Sequence, residues 1–130
     1  MASDLAAIES TIQTYFDGLY EGDTGKLAIA FHECCHLYFL DGDSGAVKDL
    51  PRDEWFRMVD GRAKPKAQGL ARADRIVTID QSGSEIAFVK VTGQIPPRHF
   101  TDYLSLIKSP GGGWKIVSKT YRFDLRSALS

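Results

Sequence analysis

The chain has 130 residues, 43% apolar and 25% charged, with a net charge of −1. That length and balance describe one soluble globular domain, spanning 1–130, which buries about two thirds of its unfolded surface and needs no covalent staples. A dedicated nucleic-acid binder is excluded, because phosphate binding needs a concentrated basic surface. No stretch approaches the ~20 apolar residues of a membrane span, and the start, MASDLAAIES, has no basic leader, so the expectation is no membrane and a cytoplasmic location. The two cysteines, Cys34 and Cys35, are neighbours and make no disulfide framework, which suits a reducing compartment.

In chain order, Leu5, Ile8, Ile12, Tyr15, Phe16 and Leu19 recur every three or four residues and predict an amphipathic helix over 4–20. Ser3 is the expected N-cap, and Gly18 and Gly22 mark its fraying and end. Asp23 or Thr24 caps a second helix, from Lys26 to about Phe31. Leu37–Leu40 reads as a short strand, and Asp41-Gly42-Asp43-Ser44-Gly45 as a turn. Leu50-Pro51 opens a third helix with proline at its first position, Trp55, Phe56 and Val59 inward and Gly61 at its end. Residues 62–72 are a loop or a weak strand. Arg75–Asp80 and Ile86–Thr92 are strands joined by the Gln81–Ser84 turn.

Residues 99–123, HFTDYLSLIKSPGGGWKIVSKTYRF, predict two long strands around a Pro-Gly turn. Alternation puts Phe100, Asp102, Leu104 and Leu106 on one face of the first strand. Counting by twos, Trp114, Ile116, Ser118 and Thr120 share a face of the second, and Lys115, Val117, Lys119 and Tyr121 the other. An outer face carrying Tyr103, Ile107, Val117 and Tyr121 would meet another subunit. Beyond Phe123 the tail is expected to fray. Three helices interrupted by one strand, followed by a four-stranded meander, predict an α+β fold with helices on one face of an antiparallel sheet.

Tyr15-Phe16 with Gly18-Leu19 and Gly22-Asp23, Ala30-Phe31-His32, Arg52 and Phe56, Asp74-Arg75-Ile76, Phe100–Leu104 and Trp114–Val117 with Lys119 follow in an order and spacing that resemble the nuclear transport factor 2-like superfamily. That superfamily includes SnoaL-like and ketosteroid-isomerase-like proteins, and the similarity is to its small bacterial branch labelled "putative lumazine-binding". The resemblance implies a cystatin-like roll: a cone-shaped curved antiparallel sheet around the first helix, a pocket at the open end, and a homodimer through the sheets. No single activity follows, because the fold hosts isomerases, dehydratases, cyclases and binders. Where that branch usually runs His-Pro-Asp-Ala, this chain has His32-Glu33-Cys34-Cys35.

His32-Glu33-Cys34-Cys35-His36 spells H-E-x-x-H, which holds zinc only on a helix, where i and i+4 share a face. In an extended chain the two histidines lie roughly 13 Å apart, so no metal is expected. Asp102 stands among Phe and Leu, where desolvation would raise its pKa toward a useful acid or base, and is the catalytic candidate with His32 as partner. Its structural alternative is to accept hydrogen bonds from a loop, Tyr15 or His32. Candidate lining residues are Tyr15, Leu19, Phe31, Trp55, Phe56, Val59, Leu104, Trp114 and Ile116, with Tyr15, Trp55 and Trp114 placed to stack on a planar ligand. From Arg57 to Arg75 six basic residues oppose Asp60 and Asp74, which reads as a solvated loop or a landing site for an anion. The expectation is a cofactor-free protein that binds a small apolar or aromatic molecule. The alternatives are an isomerase, dehydratase or cyclase using Asp102 and His32, and an interaction module without ligand.

Overall fold

The computed structural model describes residues 4–126. The elements are α1 (Leu5–Glu21), α2 (Thr24–Ala30), β1 (Phe31–Leu40), β2 (Val47–Pro51), α3 (Arg52–Gly61), β3 (Arg75–Ser82), β4 (Ile86–Ile95), β5 (Arg98–Ser109) and β6 (Gly113–Leu125). Together they make an α+β fold, three helices against one curved, open six-stranded sheet of order β2-β1-β6-β5-β4-β3. Among the described residues no helix is long and apolar enough to cross a membrane.

The amphipathic periodicity of α1 turns Ile8, Ile12, Tyr15 and Phe16 into the core. They meet Val89, Val91, Leu104, Leu106, Trp114 and Ile116 from the sheet. Thr11 Oγ1 ties the helix to β6 by donating to the Trp114 carbonyl at 3.0 Å. At its end Gly22 takes φ +66°, and the Asp23 N–H reaches the Gly18 carbonyl at 2.9 Å, closing the helix with a left-handed cap. Gly18 itself lies inside the helix: a Cβ there would stand 2.8 Å from Leu27 Cδ2, so it serves the packing of α1 on α2 rather than fraying. The expected Ser3 cap lies outside the described residues, and Asp4 at the N-cap makes no side-chain capping bond. Asp23 caps α2 as anticipated, accepting from the Lys26 N–H at 3.2 Å.

The sheet departs from the expected pattern in three places. β1 runs from Phe31, not Leu37, and pairs in parallel with β6, so the sheet is mixed rather than wholly antiparallel. A further strand, β2, pairs with β1 and ends on Pro51, which is the N-cap of α3 rather than its first turn. The third departure is in β6. Ser105 faces Ser118 while Leu106 faces Ile116, leaving Val117 as an extra residue opposite nothing on β5. Such a bulge shifts the alternation by one. Trp114 and Ile116 point inward before it, and Lys119 and Tyr121 point inward after it, with Thr120 exposed. Tyr121 therefore leaves the outer face to which strict alternation assigns it. β6 also continues past Phe123 to Leu125, and residues 127–130 lie outside the described part.

Candidate functional site

Between the C-terminal half of α1 and the β4–β6 side of the sheet lies a cavity of about 110 Å³. A single water needs about 10–15 Å³ by that measure, so the space suits a molecule of several heavy atoms. Tyr15, Phe16, Leu19 and Tyr20 come from α1, and Trp55 from α3. Arg62, Pro65 and residues 71–74 come from the loop after α3. The opposite wall is residues 91–95 of β4, Phe100 and Asp102 of β5, and Lys119 and Tyr121 of β6.

Asp102 is 5% exposed among apolar neighbours, with Leu104 and Leu106 continuing its inward row. Its Oδ2 accepts a hydrogen bond from Tyr15 Oη, and Lys119 Nζ stands 3.9 Å from the same oxygen. Its Oδ1 is buried without a hydrogen-bond partner among the described residues. Lys119, 6% exposed, sits against three rings, with Nζ 4.4 Å from the centroid of Trp55, 4.9 Å from Tyr121 and 5.1 Å from Tyr15. The ring faces favour its positive charge. Burial opposes it and pulls the Lys119 pKa below the ordinary lysine value, while the Asp102 carboxylate pulls the other way. Burial pushes the Tyr15 phenol well above its usual range, and the Asp102 charge adds to this. The same two causes raise Tyr121. At rest Tyr15 is therefore protonated and donates its O–H in a hydrogen bond to Asp102.

Charge pairing between Asp102 and Lys119 adds little net stability. At an effective dielectric of about 20, two charges ~4 Å apart gain about 4 kcal/mol, whereas each buried ion forfeits several kcal/mol of hydration. The loop cations differ in their bonding. Arg72 is committed, 2.9 Å from Asp17 and 3.1 Å from Asp74, with its guanidinium over the Tyr20 ring. Arg62 also lines the cavity, and among the described residues it makes no ion pair. Of the basic run, only Arg62 and Arg72 reach the cavity wall.

Four of the anticipated residues line the cavity: Tyr15, Leu19, Trp55 and Asp102. Phe31, Val59, Leu104, Trp114 and Ile116 are core, and Phe56 packs on its edge, so none of these six belongs to the wall. Phe31 does support it, edge-on to both Tyr15 and Trp55 at centroid distances of 5.0 and 5.1 Å. His32 is half-buried on β1 and outside the cavity lining, where its Nδ1 accepts from the Cys34 N–H at 3.0 Å. His36 faces Asp49 across the β1–β2 pair at 2.5 Å. The H-E-x-x-H segment lies in β1, on no helical turn. Asp102 is therefore brought together with Tyr15 and Lys119. Lys119 and Tyr121 were missed because the alternation was counted straight through Val117. One hint is present: the apolar row of Trp114 and Ile116 would continue into polar Ser118 and Thr120, while an aromatic waits one position over.

Several solved structures share the fold. An NTF2-like protein of unknown function from Shewanella baltica is 24% identical, with a TM-score of 0.82, covering 93% of this chain and 94% of its own. A ketosteroid isomerase-like protein from Erwinia carotovora atroseptica is 17% identical, with a TM-score of 0.71, covering 95% and 98%. The CaMKII hub of S. rosetta is 12% identical, with a TM-score of 0.65, covering 95% and 99%. No curated protein matches the chain. A family model described as "Putative lumazine-binding" matches residues 3–122, nearly the full length, and the chain belongs to that family.

Proposed function

We propose that this protein binds a small planar molecule that donates an N–H or O–H to Asp102, and that it does so as a homodimer in the cytoplasm. The observation that carries the reading is Asp102 Oδ1, a buried acceptor without a hydrogen-bond partner among the described residues, in a cavity walled mainly by rings and aliphatic groups. An unmet buried acceptor costs about 1–3 kcal/mol, and a ligand donor would recover it. Tyr15, Trp55, Phe100 and Tyr121 supply ring surface for a flat ligand, and Arg62 supplies a cation for an anionic edge. A pteridine-dione such as lumazine, after which the family is described, has ring N–H donors and flat faces of this kind. The two thiols, both free, support the cytoplasmic setting.

The test is a fluorescence titration with lumazine in a Trp114→Phe variant, which leaves Trp55 as the only tryptophan. Trp114 Nε1 has no hydrogen-bond partner to lose. Saturable quenching is expected, weakened about 10- to 100-fold by Asp102→Asn, as for loss of a charged hydrogen bond of about 1.5–3 kcal/mol. Absence of quenching with lumazine and related planar N–H compounds, or equal affinity in the variant, overturns the reading.

A second reading is cofactor-free proton transfer, favoured by the Tyr15–Asp102 bond inside an apolar cavity. Asp102 Oδ1 would then take the proton and the Tyr15–Lys119 side would steady the developing anion. His32, away from the cavity wall, has no part in it.

A further inference from the structure

Among the residues lining the cavity, Lys119 is the only primary amine. Its surroundings are unusual for an ammonium. Among the described residues nothing accepts a hydrogen bond from Nζ: the Asp102 Oδ2 with which it pairs is 3.9 Å away and already accepts from Tyr15. Three ring faces close around it. A structural ion pair would bring the amine into hydrogen-bond contact with the carboxylate. Here the amine is held just short of it, at the wall of a cavity.

We propose that the cavity takes a carbonyl compound, an aldehyde or an unhindered ketone, which condenses with Lys119 Nζ to form an imine. This rests on the cavity being a ligand site and adds a covalent step to it. The neutral amine adds its lone pair to the carbonyl carbon, and one N–H proton passes to Asp102. The carbonyl oxygen becomes a hydroxyl by taking a proton from Tyr15, which recovers it from Asp102 Oδ2 along their hydrogen bond. Loss of that hydroxyl as water, with the second N–H proton, leaves the imine, so one amine and one carbonyl give one imine and one water with no redox partner. Burial favours the neutral amine at the start by lowering the Lys119 pKa. When the imine is protonated, the same rings at 4.4–5.1 Å that face the ammonium face the iminium.

Benzaldehyde is the probe, with sodium cyanoborohydride to fix any imine as a benzylamine, followed by peptide mass mapping. In native buffer Lys119 is expected to be modified at least tenfold faster than the exposed Lys48 and Lys66. In denaturant the three react alike. Asp102→Asn, which keeps the lysine, slows native labelling of Lys119 tenfold or more, and Lys119→Arg abolishes labelling at that position while Lys48 and Lys66 are unchanged. Native labelling of Lys119 no faster than that of Lys48 overturns the proposal. If lumazine still quenches Trp55 in that case, the imine alone is refuted and the binding reading stands. If neither labelling nor quenching occurs, both fall.

Discussion

Tyr15 and Asp102 are the residues on which the site's electrostatics turn, and their bond can be weighed directly. Tyr15→Phe keeps the ring against Phe31 and Lys119 and removes only the O–H that donates to Asp102. A hydrogen bond to a charged group is worth about 1.5–3 kcal/mol, and that is the expected loss in urea denaturation. With Asp102→Asn in the same background, the Tyr15→Phe cost should shrink, the coupling being about 0.5–3 kcal/mol. Additive losses would show that the bond contributes nothing. The second residue-scale prediction concerns alkali. Cys35 is fully buried, and desolvation lifts its thiol from 9.0 to about 12. Between those values the unfolded chain has released the proton and the native chain has kept it, so stability falls as pH rises. Three units correspond to about 4 kcal/mol at most. Cys35→Ala should therefore flatten the decline of the urea midpoint between pH 9 and 11, leaving the part due to Tyr15, whose phenol is raised for the same reason. An unchanged slope in the variant would show that the thiol is not desolvated. At this scale the sequence was informative about Asp102, because a carboxylate in a row of Phe and Leu is visible by counting. About Lys119 it carries only an indirect hint, the polar Ser118 and Thr120 that would continue the apolar row, because its inward turn depends on a backbone irregularity.

Elements were legible where one interaction decides them. α1 and α3 follow from apolar spacing, and the Gly22 cap from a single left-handed residue. The β5–β6 hairpin follows from β-branched runs around a glycine turn. Misreadings cluster where tertiary pairing overrides local pattern. His32–Cys35 has no alternating apolar row, yet it is carried as strand because Phe31 pairs with Ile116 and His36 with Ser118, the four residues between bowing out of register opposite Val117. Two irregularities thus sit side by side on β1 and β6, next to the point where Lys119 enters the cavity. Bulges commonly re-aim a side chain at a site, and this one turns Lys119 and Tyr121 inward. The packing of α1 on α2 offers a test of element fit. In Gly18→Ala the new methyl meets Leu27 Cδ2 at 2.8 Å and the Leu27 backbone nitrogen at 3.2 Å, and Leu27 has no free surface into which to retreat. Overpacking costs about 1–3 kcal/mol against a helix-propensity gain of about 0.5–1 kcal/mol. A net loss of about 1 kcal/mol is expected, whereas Gly61→Ala, which meets open space, should be neutral or slightly stabilising. Equal effects of the two substitutions would mean that the helix–helix contact is loose.

For the whole molecule the sheet has two apolar faces and only one layer of helices to cover them. The inner face takes α1 and holds the core and the cavity. On the outer face Ile86 lies opposite Ile107, and Phe88 packs edge-on to Tyr103 at 5.6 Å, with Tyr103 and Ile107 still 48% and 45% exposed. A contiguous apolar patch on a sheet face is a surface that a partner of like kind can bury. A second copy packed about a two-fold axis would do so with the same residues on both sides, so that one substitution would act twice. The Tyr103→Glu, Ile107→Glu double variant places four carboxylates in that contact. Light scattering behind gel filtration is expected to give a dimer for the natural chain and a monomer for the variant, with unchanged circular dichroism. Val47→Glu, on the short strand β2 at the far edge and 76% exposed, should leave the dimer intact. A monomeric natural chain, or a variant that stays dimeric, would remove the outer face as the interface. The cavity opens on the opposite side of the same strands, with Asp102 and Tyr103 adjacent on β5. A dimer there would stiffen the strand that holds Asp102, so the monomeric variant should also bind lumazine more weakly in the Trp55 titration. Undiminished affinity in the monomer would show that the site is complete within one chain.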